Sequence, residues 1–398
     1  MKILEINKYF YIKGGAEKHF FDLLDLLAGA GNEVAVFSME HEKNFPSKWS
    51  NFFLSKVGFD EGCNIWLKIK GGFRDLYSFE AKRKINKILD EFKPEIVHIH
   101  NIYHQLSPMI LFEIKKRNIP IVMTVHDYKL VNPNYNLFHQ GKFYDRCLNG
   151  KYYQCFLDKC FKDSYFKSFL AMLEMYWHDF LGSYRKNIDE FIVPSEFAKN
   201  ILIERGIPKR KIKVIPHFIA QNKEDSLEKN ENQGEKYALF FGRIAKGKGV
   251  EDLADIFKDG EGLKLYLAGN TEDKSLVYES ERIKYLGFLG KDLLKGYIKK
   301  AQFVISPSKL PETFGLVALE SICEGVPFVG YNSGAYREII SHGVNGYLAK
   351  NREELRKVVD NFEQLNNFDK GKIKKEALAK YAAEDYYNKL MQVFKNLI

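Results

Sequence analysis

A chain of 398 residues is more than one hydrophobic core organises comfortably and suits two domains of ordinary size. Hydrophobic residues at 45% and charged residues at 28% exclude wholesale disorder, a collagen-like repeat and a disulfide-stapled miniprotein. The 61 Lys and Arg against 52 Asp and Glu leave +9, dispersed along the chain; this favours an anionic substrate or surface and, with no recognition module visible, argues against nucleic acid.

The opening MKILEINKYFYIKGGAEK places charges where a signal peptide needs an apolar centre, and no run approaches a membrane-spanning length, so a cytoplasmic location is expected. Five cysteines, Cys63, Cys147, Cys155, Cys160 and Cys323, argue against a secreted disulfide framework in so long a chain. Strands are predicted at 2–6, 33–37, 95–100, 119–125 and 190–193, then at 237–241, 263–267, 303–305 and 327–329, with amphipathic stretches between them. That alternation is the pattern of two doubly wound parallel α/β units. The polar stretch Gln221 to Lys236 reads as an exposed linker or loop. The expected division is a first domain over 1–188, a second over 189–375, and a closing amphipathic helix over 376–398 that crosses back to the first.

Three segments carry chemistry. Lys13-Gly14-Gly15-Ala16-Glu17 lies between the first strand and an apolar-periodic stretch, where helix amides can approach a phosphate or sugar. The plain alternative is a turn that needs positive φ, and the segment lacks the three glycines of a dinucleotide fingerprint. Gly242-Arg243-Ile244-Ala245-Lys246-Gly247-Lys248-Gly249 follows another strand; Arg243 offers a planar fork and Lys248 a point charge for a diphosphate, unless the loop is simply solvated. In Pro311-Glu312-Thr313-Phe314-Gly315-Leu316-Val317-Ala318-Leu319-Glu320 a helix is predicted to start at Gly315, with a carboxylate at each end able to grip two parts of one ligand. Capping or solvation is the simpler reading of such a pair. His98 and His100 share one strand face by alternation, with His100 and Asn101 placed toward a site and His98 in packing.

Together these segments resemble a retaining glycosyltransferase of the GT-B fold, family 4: the Glu-x7-Glu of Glu312 and Glu320, the Phe314-Gly315-Leu316 between them, the Arg-x4-Lys of Arg243 and Lys248, and the Gly-Gly turn. Val97-His98-Ile99-His100-Asn101, Thr124-Val125-His126-Asp127-Tyr128, Val193-Pro194-Ser195-Glu196-Phe197 and Asn332-Ser333-Gly334-Ala335 extend the likeness, in order, over nearly the whole chain. The resemblance implies an α/β fold of two Rossmann-like domains facing across a cleft, and transfer from a UDP- or GDP-sugar to a carbohydrate or lipid-linked acceptor. It implies no metal or other cofactor, and a setting in surface polysaccharide or glycolipid synthesis.

By the same resemblance Glu320 accepts from the ribose hydroxyls, and Arg243 with Lys248 neutralises the diphosphate. Glu312 addresses the donor sugar, and Gly14, Gly15 and the amides of Phe314, Gly315 and Leu316 help hold the donor. His126 stands near the reacting sugar, a catalytic residue together with Glu312, Arg243 and Lys248, while His100, Asn101 and Asp127 line the cleft or acceptor site. His217-Phe218 departs from the family's usual Asn-Gly, and Asn132-Pro133 from its commoner Cys-Pro. Competing readings are a nucleotide-sugar epimerase and a non-catalytic nucleotide-sugar-binding protein of the same fold.

Cys147, Cys155 and Cys160, spaced C-x7-C-x4-C, allow a zinc site with His139, a disulfide plus a free thiol, or reduced packing cysteines. The last leads, because Tyr144 stands where some relatives look to carry a fourth cysteine. The aromatic stretch Phe161 to Lys186 reads as a core helix in preference to an amphipathic helix lying on anionic lipid. Lys68, Lys70, Arg74, Lys82, Arg83 and Lys84 form either a solvated face or a peripheral patch for the inner face of a membrane.

Overall fold

The computed structural model describes residues 1–55, 78–103, 106–220, 235–258 and 262–398. Cys63, Lys68, Lys70, Arg74 and residues 221–234 of the polar stretch lie outside the described residues. Two compact units are present, one of Met1–Leu137, Tyr144–Pro216 and Glu384–Ile398, the other of Phe138–Phe143 and His217–Ala383.

In the first unit β1 (Lys2–Ile6), β2 (Glu33–Phe37), β3 (Ile96–Ile99) and β4 (Ile121–Thr124) are short apolar strands covered on both faces, the environment that parallel sheets require. After the small antiparallel hairpin of β5 (Phe138–His139) and β6 (Lys142–Phe143) come β7 (Glu190–Val193) and β8 (Ile212–Val214). The parallel order is β2-β1-β3-β4-β7-β8. Because β7 pairs with β4 and β8 with β7, the stretch beyond residue 188 completes the first sheet. The expected boundary at 188 therefore moves to between Pro216 and His217.

The second unit repeats the plan with β9 (Tyr237–Phe241), β10 (Lys264–Ala268), β11 (Ile283–Gly287), β12 (Phe303–Ser306), β13 (Phe328–Tyr331) and β14 (Gly346–Ala349). Its parallel order is β11-β10-β9-β12-β13-β14. β11 and β14 had no counterpart in the sequence reading; as edge strands they are half-exposed and lack the unbroken apolar run of the central ones. In each sheet the order reverses next to the first strand, between β1 and β3 and between β9 and β12, and ligands of open α/β sheets bind outside the carboxyl ends at such a point.

Helices α1 (Gly15–Gly29), α2 (Phe79–Phe92), α3 (Ile110–Lys115), α4 (Tyr153–Leu157), α5 (Tyr165–Leu181), α6 (Ser183–Asn187) and α7 (Glu196–Glu204) belong to the first unit. The second holds α8 (Val250–Lys258), α9 (Lys291–Lys300), α10 (Leu316–Cys323), α11 (Tyr336–Ile339), α12 (Arg352–Asp360) and α13 (Lys370–Lys380). Serine caps α2, α5 and α7, each hydroxyl accepting from the amide three residues on. The last helix, α14 (Ala383–Lys395), buries Tyr386, Leu390, Met391, Val393 and Phe394, and Phe394 meets His98 edge-on in the first unit.

Two expectations about the insert are corrected. Helix α5 buries Ser168, Ala171, Glu174, Met175 and His178 but leaves its opposite face in solvent, with Phe180 80% exposed, so it is a surface helix and not a core one. Its covered face mixes Ala171 and Met175 with Ser168, Glu174 and His178, and most of its large apolar side chains are the ones left in solvent. Cys155 and Cys160 are joined in a disulfide, which removes them from a reduced set and from any zinc site with Cys147 and His139. Cys147 is a buried thiol beside Tyr144, and burial pushes it up to about 11. Among the described residues no helix is long and apolar enough to cross a membrane.

Candidate active site

At the switch point of the first sheet, β1 carries one carboxylate in an otherwise apolar strand. Glu5 is fully buried, and its two oxygens take His98 Nδ1 at 2.9 Å and His100 Nε2 at 3.0 Å. His98 Nε2 lies 2.8 Å from Thr124 Oγ1, and His100 Nδ1 lies 2.8 Å from His126 Nε2, the two rings edge to edge with planes 20° apart and centres 5.1 Å apart. His19 on α1 closes the group, 5.6 Å from His126 by ring centres and hydrogen-bonded to Tyr386 at 3.1 Å.

With Glu5 as a carboxylate and the imidazoles neutral, one arrangement of donors satisfies all four contacts. An ionised Glu5 only accepts, so His98 donates from Nδ1 and His100 from Nε2. A neutral imidazole has one N–H, hence Thr124 donates to His98 and His126 Nε2–H donates to His100 Nδ1. His126 is thereby held as the tautomer whose Nδ1 carries the lone pair. A proton arriving there makes an imidazolium that Glu5 stabilises through His100.

Glu5, His98 and His100 also bring three donor atoms within 4.8 Å of one another, close enough for a metal. The 2.9 and 3.0 Å contacts are of hydrogen-bond length, and each places a proton where a shared ion would sit.

Around this network, the Asn101 backbone N–H donates to Asn7 Oδ1 at 3.2 Å, while the buried Asn101 Oδ1 has no hydrogen-bond partner among the described residues. Asp127 Oδ1 accepts from the amide of Lys129 at 2.9 Å, an Asx turn that fixes the loop after β4. Burial pushes the Lys8 ammonium below its usual range, opposed by Asp127 and Glu17, and burial raises the Glu17 carboxyl. Gly14 and Gly15 sit exposed at the start of α1; Gly14 has an extended φ of −167° and neither is left-handed, so positive φ does not explain the pair.

The second switch point combines glycine-shaped loops with three polar side chains. Glu312 Oε1 takes Lys248 Nζ at 2.6 Å and Ser308 Oγ at 2.7 Å, tying the loop after β9 to the loop after β12. Lys248 is thus paired to Glu312, whereas Arg243 is exposed beside it in sequence on the same loop. Gly315 caps α10 with φ 106°, and a Cβ there would lie 2.5 Å from the Tyr336 ring, so only glycine fits. No side chain caps α10, and Phe314 packs beneath its start. Glu320 is half-buried on the fifth residue of α10, and Leu316 is half-buried on the first. His217, in place of the expected asparagine, meets Phe314 edge-on at 5.1 Å.

Residues 13–222 match the model of Glycosyltransferase Family 4, more than half of the chain. The chain belongs to this family. Residues 221–385 match the model of Glycosyl transferases group 1, so both halves of this glycosyltransferase carry the assignment. A 41.2 kDa protein in the cps region of Klebsiella pneumoniae is 29% identical over 225 residues, 53% of this chain and 62% of that one. A 42.6 kDa protein in the cps region of the same organism is 24% identical over 375 residues, 89% of this chain and 91% of that one. Among solved structures, Anabaena HepE in complex with UDP and glucose superposes with a TM-score of 0.67 at 16% identity, covering 100% of each chain. That likeness speaks for the GT-B fold.

Of the residues expected at a site, the glycosyltransferase brings His100 and His126 together in its first unit and Lys248 and Glu312 together in its second. The sequence reading missed Glu5, His19, Thr124 and Tyr386. Glu5 had a signal, a lone carboxylate in the apolar strand KILEI. His98, assigned to packing, is a hydrogen-bonded member of the network.

Proposed function

We propose that this glycosyltransferase moves a glycosyl group, with retention, from a UDP- or GDP-sugar to a carbohydrate or lipid-linked acceptor in surface polysaccharide or glycolipid assembly. The bond from the anomeric carbon to the diphosphate breaks with its electron pair going to the diphosphate oxygen, a bond to the acceptor oxygen forms, and the acceptor hydroxyl passes its proton to the departing diphosphate. One observation carries the reading: Lys248, Ser308 and Glu312 gather at the switch point of the second sheet, next in sequence to the uncapped start of α10.

A departing nucleoside diphosphate accumulates negative charge, and preorganised cations and helix amides stabilise it without reorganising. Lys248 and Arg243 take that role, with the amides of Phe314, Gly315 and Leu316. Glu312 exchanges Lys248 for the sugar hydroxyls, and Glu320 holds the ribose. In the first unit His126 addresses the reacting sugar through Nδ1, oriented by His100 and Glu5, while Asn101 and Asp127 face the acceptor and Gly14 and Gly15 leave room above the α1 amides. The UDP and glucose held by HepE, of the same fold, support a nucleotide-sugar donor.

The test is a thermal-shift panel of UDP, GDP, ADP and their common sugar conjugates on the wild type and Glu320→Ala. A ligand at a hundredfold excess over Kd stabilises by about 2.7 kcal/mol. One nucleotide series shifting the wild type and not the variant supports the assignment and names the base; no shift with any nucleotide sinks it.

A further inference from the structure

We infer that the outer face of α5 is a docking surface for an anionic lipid bilayer. On a helical wheel Phe166, Phe169, Leu173, Trp177 and Phe180 fall on one side, at the spacing of three, four and seven that a single stripe requires. All five are exposed, from 40% at Phe169 to 80% at Phe180. No charged side chain interrupts the stripe, and its Phe, Leu and Trp are the residue types of the buried face of a helix lying in a lipid interface, Trp177 settling at the level of the headgroups. Scattered exposed apolar residues are ordinary, but a contiguous face of this kind marks an interaction site.

The charges around the helix choose the occupant. Lys159, Lys162 and Lys167 are exposed at its amino end, and Arg185 and Lys186 just beyond its carboxyl end. Most nearby carboxylates are neutralised: Asp158 by Arg146, Glu174 by buried Lys129, and Asp179 by Arg205. Asp163 is the one carboxylate of α5 and its amino-terminal loop, residues 159–181, outside these pairs. An apolar stripe with basic ends is the form of a helix lying in the plane of an anionic interface.

A second copy of the chain fits this face poorly. Two-fold pairing of α5 with itself brings basic end against basic end in either direction. The inner side of the helix is held firmly, by Ala171 and Met175 and by the Lys129 to Glu174 pair at 2.8 Å, so the outer face is presented by a fixed platform and not by a fraying segment. The inference concerns where the enzyme acts and holds whichever donor it uses.

The experiment sediments the full chain with phosphatidylcholine vesicles made with and without phosphatidylglycerol. Two variants are compared with the wild type: Phe169→Ser/Trp177→Ser/Phe180→Ser, and Lys162→Glu/Lys167→Glu. The wild type is expected to partition onto the phosphatidylglycerol vesicles, the apolar variant about tenfold or more weaker. The lysine variant should lose the preference for phosphatidylglycerol, as should the wild type in high salt.

Three outcomes overturn the inference: no binding of the wild type to either vesicle, equal binding by the apolar variant, or a concentration-dependent dimer that the apolar variant abolishes. Circular dichroism and the nucleotide-induced thermal shift of the same proteins are read in parallel. Because neither variant touches the switch points, loss of vesicle binding with the nucleotide shift intact is distinguishable from failure of the donor assignment.

Discussion

The two sheets share a strand plan and a switch point beside their first strand, yet they furnish it by different means. The first builds with side chains: a fully buried glutamate and three histidines satisfy one another through bonds of 2.8 to 3.0 Å. The second builds with backbone: left-handed glycines at 247, 249 and 315 shape the loops, and the charged groups remain partly in solvent. A closed side-chain network fixes a tautomer and resists change, because each member's loss orphans another. A backbone cradle leaves its cations free to exchange partners, which suits a site that must admit and release a charged ligand.

The largest effect should come from the cradle's charges. Lys248→Ala and Glu312→Ala are each expected to lower kcat about 10² to 10³-fold, the scale for removing one stabilising group from a developing anion. Both side chains are only about one-fifth exposed, at 21% and 18%, so each single variant also loses stability, while Lys248→Ala/Glu312→Ala, which leaves neither charge buried alone, should recover much of the urea melt without recovering kcat. Recovery of kcat in the double variant, in step with stability, would erase the contrast drawn between the sheets.

The reverse pattern is expected of the network. Glu5→Gln turns one acceptor oxygen into a donor facing an imidazole N–H, and should cost about 3 kcal/mol of unfolding free energy in urea. Its second readout is the ring nitrogen shifts of His126: loss of the single tautomer, seen by nitrogen NMR, belongs to a positioning role and not to packing. An unchanged tautomer in a folded Glu5→Gln protein would falsify the relay. Smaller again is Gly315→Ala, which sets a Cβ 2.5 Å from Tyr336 and forces a left-handed residue; about 2 kcal/mol is expected.

What was legible in the sequence follows from the same contrast. Central strands declare themselves because they are apolar on both faces, as at Tyr237–Phe241; β14, at Gly346–Ala349, lies at an edge and is half polar by environment, so it was missed. The cradle was legible because glycines and charges cluster locally, from Gly242 to Gly249 and from Glu312 to Glu320. The network was legible only in part, since His19 and Tyr386 are 367 residues apart and nothing local announces their bond. For α5, composition showed apolar residues nearly all round, and the side the fold covers is decided by Lys129, Arg205 and Tyr152, which pair with Glu174 and Asp179 from outside the helix. The disulfide was one of several open pairings until the short turn from Cys155 to Cys160 brought the sulfurs together.

The smallest expected effect is a pH dependence carried by one histidine of the second unit. His217 is buried against Phe314, and desolvation pushes its imidazole down to about 3 from an ordinary value near 6.5. The native protein therefore holds it neutral while the unfolded chain protonates it as pH falls below about 6.5. Stability is fully present above that value and declines by about 1.4 kcal/mol per pH unit on the way down toward 3. Urea melts at pH 7.5, 6.0 and 5.0 should show this slope, and His217→Phe, which fills the same apolar site without a titrating nitrogen, should flatten it. If His217→Phe keeps the wild-type slope, the acid sensitivity lies elsewhere, and the departure from asparagine at 217 is then a matter of packing against Phe314 and not of charge.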